Sequence, residues 1–137
     1  MLSTIRTSVK TKLESISSFA FVYDYHKVGV DWYPCATFEP SRVENEEWDT
    51  ANNKGSYIFD IVIQQEISSL TKRGVGMDIL VACVDEVKTA FDRDPTLSWI
   101  CSRVIIRDIN FWEVVHDKWD ILYVSISLVC EALSFTL

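Results

Sequence analysis

The hydrophobic period of this chain changes once, near its middle, and that change limits the possible folds more than any other feature. Tyr57, Phe59, Ile61 and Ile63 alternate with Ile58, Asp60, Val62 and Gln64. A period of two, rich in β-branched and aromatic side chains, marks a strand. Thr71-Lys72-Arg73-Gly74 breaks the pattern. From Gly76 onward Met77, Leu80, Val84, Val87 and Phe91 recur every three or four residues, with Asp78, Asp85, Glu86 and Lys88 on much of the other side. That is an amphipathic helix with one strong apolar face. Both elements must bury their faces against each other or against shared neighbours, so the chain is built in helix and sheet layers.

The flanking segments add to that pair. Leu2, Ile5, Val9, Leu13 and Ile16 form an apolar stripe over residues 2 to 16, with Arg6, Lys10, Lys12 and Glu14 toward water. The spacing predicts an opening helix, with Ser3 or Thr4 placed to cap it. Arg6 and Lys10 make a small positive patch, which reads as a solvated face or as a docking surface for an acidic neighbour. Phe19 to Tyr25 reads as a strand with Phe19, Phe21, Tyr23 and Tyr25 on one side. After a loop at Gly29, Tyr33-Pro34 opens a second strand that runs through Phe38 and ends at Pro40. Ser41 to Ser56 reads as a long acidic hairpin tip, where Glu44, Glu46, Glu47 and Asp49 surround Trp48. An exposed tryptophan there would mark a contact, whereas one folded back would pack on the sheet.

Beyond the main helix, Asp92-Arg93-Asp94-Pro95 is a stop signal. Leu97 to Cys101 reads as a short edge segment and Arg103 to Phe111 as a strand. Trp112 to Lys118, with His116, reads as a second aromatic and charged tip. Trp119 to Leu133 is a last strand, whose Ser125 and Ser127 predict one face less buried than the other. The fold class expected is α+β: two helices layered on a mostly antiparallel sheet, as a single domain.

A chain of 137 residues buries roughly two-thirds of its unfolded surface and can hold a core without staples. The formal net charge of −7 argues against non-specific nucleic-acid binding. Cys35, Cys83, Cys101 and Cys130 form no C-x-x-C pair. Cys83 and Cys130 fall at apolar positions, so the cysteines are expected to be reduced and to act as small hydrophobes. The amino terminus shows no secretory apolar core, and no apolar run reaches membrane-spanning length.

Chemistry-bearing patterns are sparse. Asp24 and His26 share the face of a strand end, a relation that serves metal binding or proton transfer; without a third ligand nearby, a surface pair is the simpler reading. Gly74-Val75-Gly76 could present amides to an anion, but no Lys-Ser or Lys-Thr follows, so a hinge into the helix is the expected role. No serine elbow, H-E-x-x-H or H-x-E with C-x-x-C occurs. Glu46 and Glu47 lie in polar sequence that does not separate carboxylate pKa values. The expectation is a protein without catalytic residues, metal or cofactor. The rival reading is a small-ligand-binding or enzymatic α+β domain using Asp24, His26 and a cysteine.

Several stretches together resemble the tail terminator, or tail completion, proteins of long-tailed bacteriophages. They are Ile5-Arg6-Thr7-Ser8-Val9-Lys10-Thr11-Lys12-Leu13, Val22-Tyr23-Asp24-Tyr25-His26, Tyr33-Pro34 entering a strand, the acidic linker into Tyr57-Ile58-Phe59, Val84-Asp85-Glu86-Val87 leading to Phe91-Asp92, and the long closing strand. Related head-closure and head–tail adaptor proteins share this size and layout. The resemblance implies an α/β sandwich assembled as a homo-hexameric ring on the tail tube. Such a ring stops polymerisation of the major tail tube protein and presents a surface to the head-side connector. It implies a virion protein assembled in the host cytoplasm, with DNA passing through the lumen unbound and no membrane partner. A ring contact is head to tail and needs two unlike surfaces. Trp48, Trp112, His116, Arg6 and Lys10 are the candidate contacts, and Glu44, Glu46, Glu47 and Asp49 the candidate lumen-facing acidic loop.

Overall fold

A computed structural model describes residues 2–27, 32–47, 52–67, 72–115 and 120–135. The elements are α1 (Leu2–Glu14), β1 (Phe21–Tyr23), β2 (Cys35–Glu47), β3 (Asn52–Ile67), α2 (Arg73–Asp92), β4 (Arg103–Val115) and β5 (Asp120–Phe135). The strands form one open sheet in the order β1-β2-β3-β5-β4, antiparallel throughout except for the β1–β2 pair. Both helices pack on one face. The chain is therefore an α+β sandwich of a single domain, in the predicted order of elements.

Alternation explains the layering. Phe59, Ile61 and Ile63 of β3 point toward the helices and are fully buried, as are Val124, Ile126 and Leu128 of β5. Leu80, Cys83, Val87 and Phe91 of α2 meet them, and Ile5, Val9 and Leu13 of α1 complete the core. Each such apolar side chain contributes about 1.5–3 kcal/mol on leaving water. Phe38 and Phe59 approach within 6.3 Å between ring centres at the middle of this layer.

Several local expectations change. Ser3 and Thr4 lie inside α1, where their carbonyls accept from Thr7 and Ser8 hydroxyls. β1 is only three residues long: Phe19 is buried ahead of it, Val22 points inward, and Phe21 and Tyr25 face water. β2 does not end at Pro40. A bulge between Pro40 and Arg42 absorbs the ring, on an edge that β1 has already left, and pairing with β3 resumes up to Glu47. The acidic stretch is therefore largely strand. Trp48 and Asp49 lie outside the described residues.

Gly74, Val75 and Gly76 lie inside the first turn of α2 and do not precede it. A methyl group at Gly76 would meet only ordinary van der Waals neighbours, at 3.5 Å and beyond, and one at Gly74 would meet nothing within 4 Å. The Asp92–Pro95 stop ends α2 as expected. Leu97, Ser98 and Trp99 then take positive φ values of 46°, 56° and 73° in place of an edge segment. Side chains hold this turn: Asp94 Oδ1 accepts from the Ser98 amide at 2.9 Å and Thr96 Oγ1 from that of Trp99 at 3.2 Å. The turn buries Leu97 and Cys101 and leaves Trp99 in water. β4 runs on through Trp112 and Glu113 to Val115, so Trp112 is a strand residue and not a tip; His116 lies outside the described residues. A bulge between Ile106 and Asp108 brings Val104, Ile106 and Ile109 onto the helix side.

Candidate functional site

The sheet face opposite the helices carries the molecule's mixed polar and aromatic side chains. Its middle is apolar and well packed: Ile58, Val62, Ile121, Tyr123 and Val129 are buried, with Tyr33 against Val62, Ile121 and Tyr123. Ser125 and Ser127 lie half-buried on this side, the less covered face that their identity predicts.

A polar cluster crosses the same face. His26 Nδ1 lies 2.9 Å from Thr37 Oγ1, and its Nε2 lies 3.4 Å from Asp60 and 4.0 Å from Glu39. The Glu39 carboxylate also accepts from the His26 amide at 3.0 Å, and Ser125 Oγ donates to Asp60 at 2.5 Å. Each hydroxyl and carboxylate here has a partner within the cluster, which ties β2, β3 and β5 to the segment after β1. Sequence spacing pairs Asp24 with His26, and the structure separates them. The chain leaves the strand at Tyr23, and Asp24 turns to α1. There Arg6 donates to the Asp24 carbonyl at 2.8 Å, and the carboxylate lies 3.7 Å from Arg6 and 3.9 Å from Lys10. Within the chain, Asp24 is an acidic neighbour of both Arg6 and Lys10, whose side chains stay partly exposed. Among the described residues no group of three His, Cys, Asp or Glu side chains is placed to hold a metal ion.

Aromatic side chains stand at the two lateral edges. On the β1 edge the Phe21 and Tyr23 rings lie 4.5 Å apart, Tyr23 and Tyr25 5.9 Å apart, and Lys27 sits 5.0 Å over Tyr23. On the β4 edge Trp112 stacks on Tyr123, ring centres 5.2 Å apart and planes 6° from parallel, with Phe111 exposed beside it. Arg73 of α2 pairs with Glu113 on the helix side of this edge. Farther along, Arg103 grips the Glu131 carboxylate with two bonds of 3.0 and 3.1 Å, and Lys54 lies 3.6 Å away. Those bonds, Arg103 first, hold the Glu131 carboxyl below its ordinary range.

Glu44 is exposed in β2 and pairs with Arg42 at 2.9 Å; Glu46 and Glu47 occupy strand positions opposite Lys54 and Asn53. Trp99, 89% exposed at the strained turn, is a surface feature that hydrophobic alternation hides, because Leu97, Trp99 and Cys101 mimic one strand face. Beside it a groove of about 230 Å³ runs between α1 and the turn, lined by Thr7, Ser8, Thr11 and Ser98 and closed by a 2.9 Å Lys12–Asp94 pair.

All four cysteines are free and buried. Burial pushes the Cys35 thiol up to about 12 and that of Cys83 to about 11. Neither is a nucleophile at neutral pH. The Cys101 and Cys130 thiols hydrogen-bond to one another in the core, and that bond raises Cys130. Among the described residues no helix is long and apolar enough to cross a membrane. No protein-family model matches the chain, and no curated protein matches it.

Proposed function

We propose that this chain is a structural ring subunit of a phage virion, seated at the head-proximal end of the tail tube. There it ends polymerisation of the major tail tube protein and offers a surface to the head-side connector. The observation that carries this reading is the open sheet with exposed aromatics at both unlike edges, Phe21 and Tyr25 on one side and Phe111 and Trp112 on the other. A monomer gains nothing from keeping large apolar rings in water at two edges, whereas a head-to-tail assembly covers both in each subunit. The sequence resemblance to tail terminators supplies the particular assembly, and the single α/β sandwich is compatible with it.

In this reading the acidic end of β2, which carries Glu44, Glu46 and Glu47, lies at the lumen, where like charge lets DNA slide past without sticking. Replacing Glu46 and Glu47 with lysine is expected to slow DNA passage; unchanged infectivity would remove that placement. Assembly itself is tested by light scattering across a concentration series and in the presence of tail tube protein. A closed oligomer of fixed mass supports the proposal, and a monomer under every condition contradicts it.

A further inference from the structure

We infer that copies of this chain join edge to edge, the β1 edge of one against the β4 edge of the next, in a repeating head-to-tail contact. The inference rests on the ring reading above and names its joint.

Strand register carries the argument. Phe21 pairs with Cys35, Cys35 with Gln64, Gln64 with Tyr123 and Tyr123 with Trp112. One row of the sheet therefore starts at Phe21 on one edge and finishes at Trp112 on the other, both on the helix-free face. The two rings are 50% and 41% exposed, each backed by a second aromatic, Tyr23 or Tyr123. Strand direction agrees. β1 and β2 run one way, β3 the other, β5 back, and β4 again the other. Rotation about an axis along the strands preserves these directions, so β4 of one copy meets β1 of the next antiparallel, like most of the sheet. Trp112 then arrives beside Phe21 with no slip along the strands.

A second row adds charge complementarity. Glu44 pairs with Ser56, Ser56 with Glu131 and Glu131 with Arg103. Its ends are a carboxylate and a guanidinium, so the same rotation brings Arg103 of one copy to Glu44 of the next. β1 has ended at this level, which leaves β4 and the neighbouring β2 about two strand spacings, ~9.6 Å, apart. Two long side chains can cross that distance. Glu131 already binds Arg103, and Arg42 binds Glu44, so the contact would join these pairs into a run of alternating sign. β1 is three residues long, so strand pairing spans Asn110 to Trp112, on the half of β4 beyond the bulge between Ile106 and Asp108. A two-fold β4–β4 joint leaves Phe21, Tyr23 and Tyr25 bare and stops at two copies.

The test uses Phe21→Cys and Trp112→Cys in the full chain, at concentrations or with tube protein where scattering shows oligomers. Diamide serves as the two-electron oxidant that takes the thiol hydrogens. The native thiols are all buried. Mixing the two single variants is expected to give a covalent dimer that neither gives alone, and the double variant a ladder ending at one closed size. As a check independent of oxidation, Arg103→Glu or Glu44→Arg alone should weaken self-association at least tenfold, and the charge-swapped pair should restore it. Oligomers without the 21–112 bond and without charge-swap rescue, or a dimer from Trp112→Cys alone, would overturn the joint and leave the ring. Monomers throughout would overturn both.

Discussion

Glu131 shows how a single residue couples the last strand to its neighbours. Its carboxyl is held below its ordinary value of 4.5 by Arg103 first and Lys54 after. Asp94 is likewise held below 3.8, chiefly by the Ser98 amide and then by Lys12. Because both folded values are depressed, their contribution to stability is complete above the ordinary carboxylate range and fades as pH falls through the folded values. Denaturant titrations should therefore show stability falling with acid below about 4.5, and Glu131→Gln should make that decline shallower. An unchanged slope in the variant would remove Glu131 from the acid response. At this scale the sequence is legible where a side chain follows the period of its element, as with Leu80 or Ile61. It is misleading at Asp24 and His26, because residues two apart share a face only while the strand lasts, and β1 ends before them.

Among the elements, α2 is the most legible, since its apolar spacing and its Asp92–Pro95 stop act locally. Its start was obscured by Gly74 and Gly76, which look like a hinge and are helix. Glycine there costs backbone entropy without a steric need, so Gly76→Ala should raise stability by about 0.5–1 kcal/mol in chemical denaturation. A loss would mean that the first turn needs glycine's freedom. The turn at Leu97–Trp99 is the opposite case. Three non-glycine residues hold a left-handed conformation that costs roughly 1–2 kcal/mol each. Ser98 is exposed; its main bond to Asp94 is through the backbone amide, which glycine retains, and only the weaker side-chain bond is lost. Ser98→Gly should stabilise the chain by about 1 kcal/mol, and a neutral result would place the strain elsewhere. Nothing in the local period announces this turn, because it is fixed by Asp94 and Thr96 side chains capping amides. Pro40 misleads for a related reason: a bulge on an uncovered edge makes room for it.

For the whole molecule, the order of elements and the α+β class follow from alternating periods and loop signals. The β3–β5 pairing across α2 and the parallel β1–β2 pair do not, since both join segments that no short spacing connects. The edges that the proposed assembly would use come from that long-range register, which is why Phe21 and Trp112 gain meaning only as ends of one row. The central claim is that the chain acts by shape, ending a tube by closing on it. Electron microscopy of tails assembled with and without the protein measures this most directly. The account predicts tubes of one length, capped at one end, when it is present and overlong tubes of scattered length when it is absent; identical length distributions in the two preparations would contradict it.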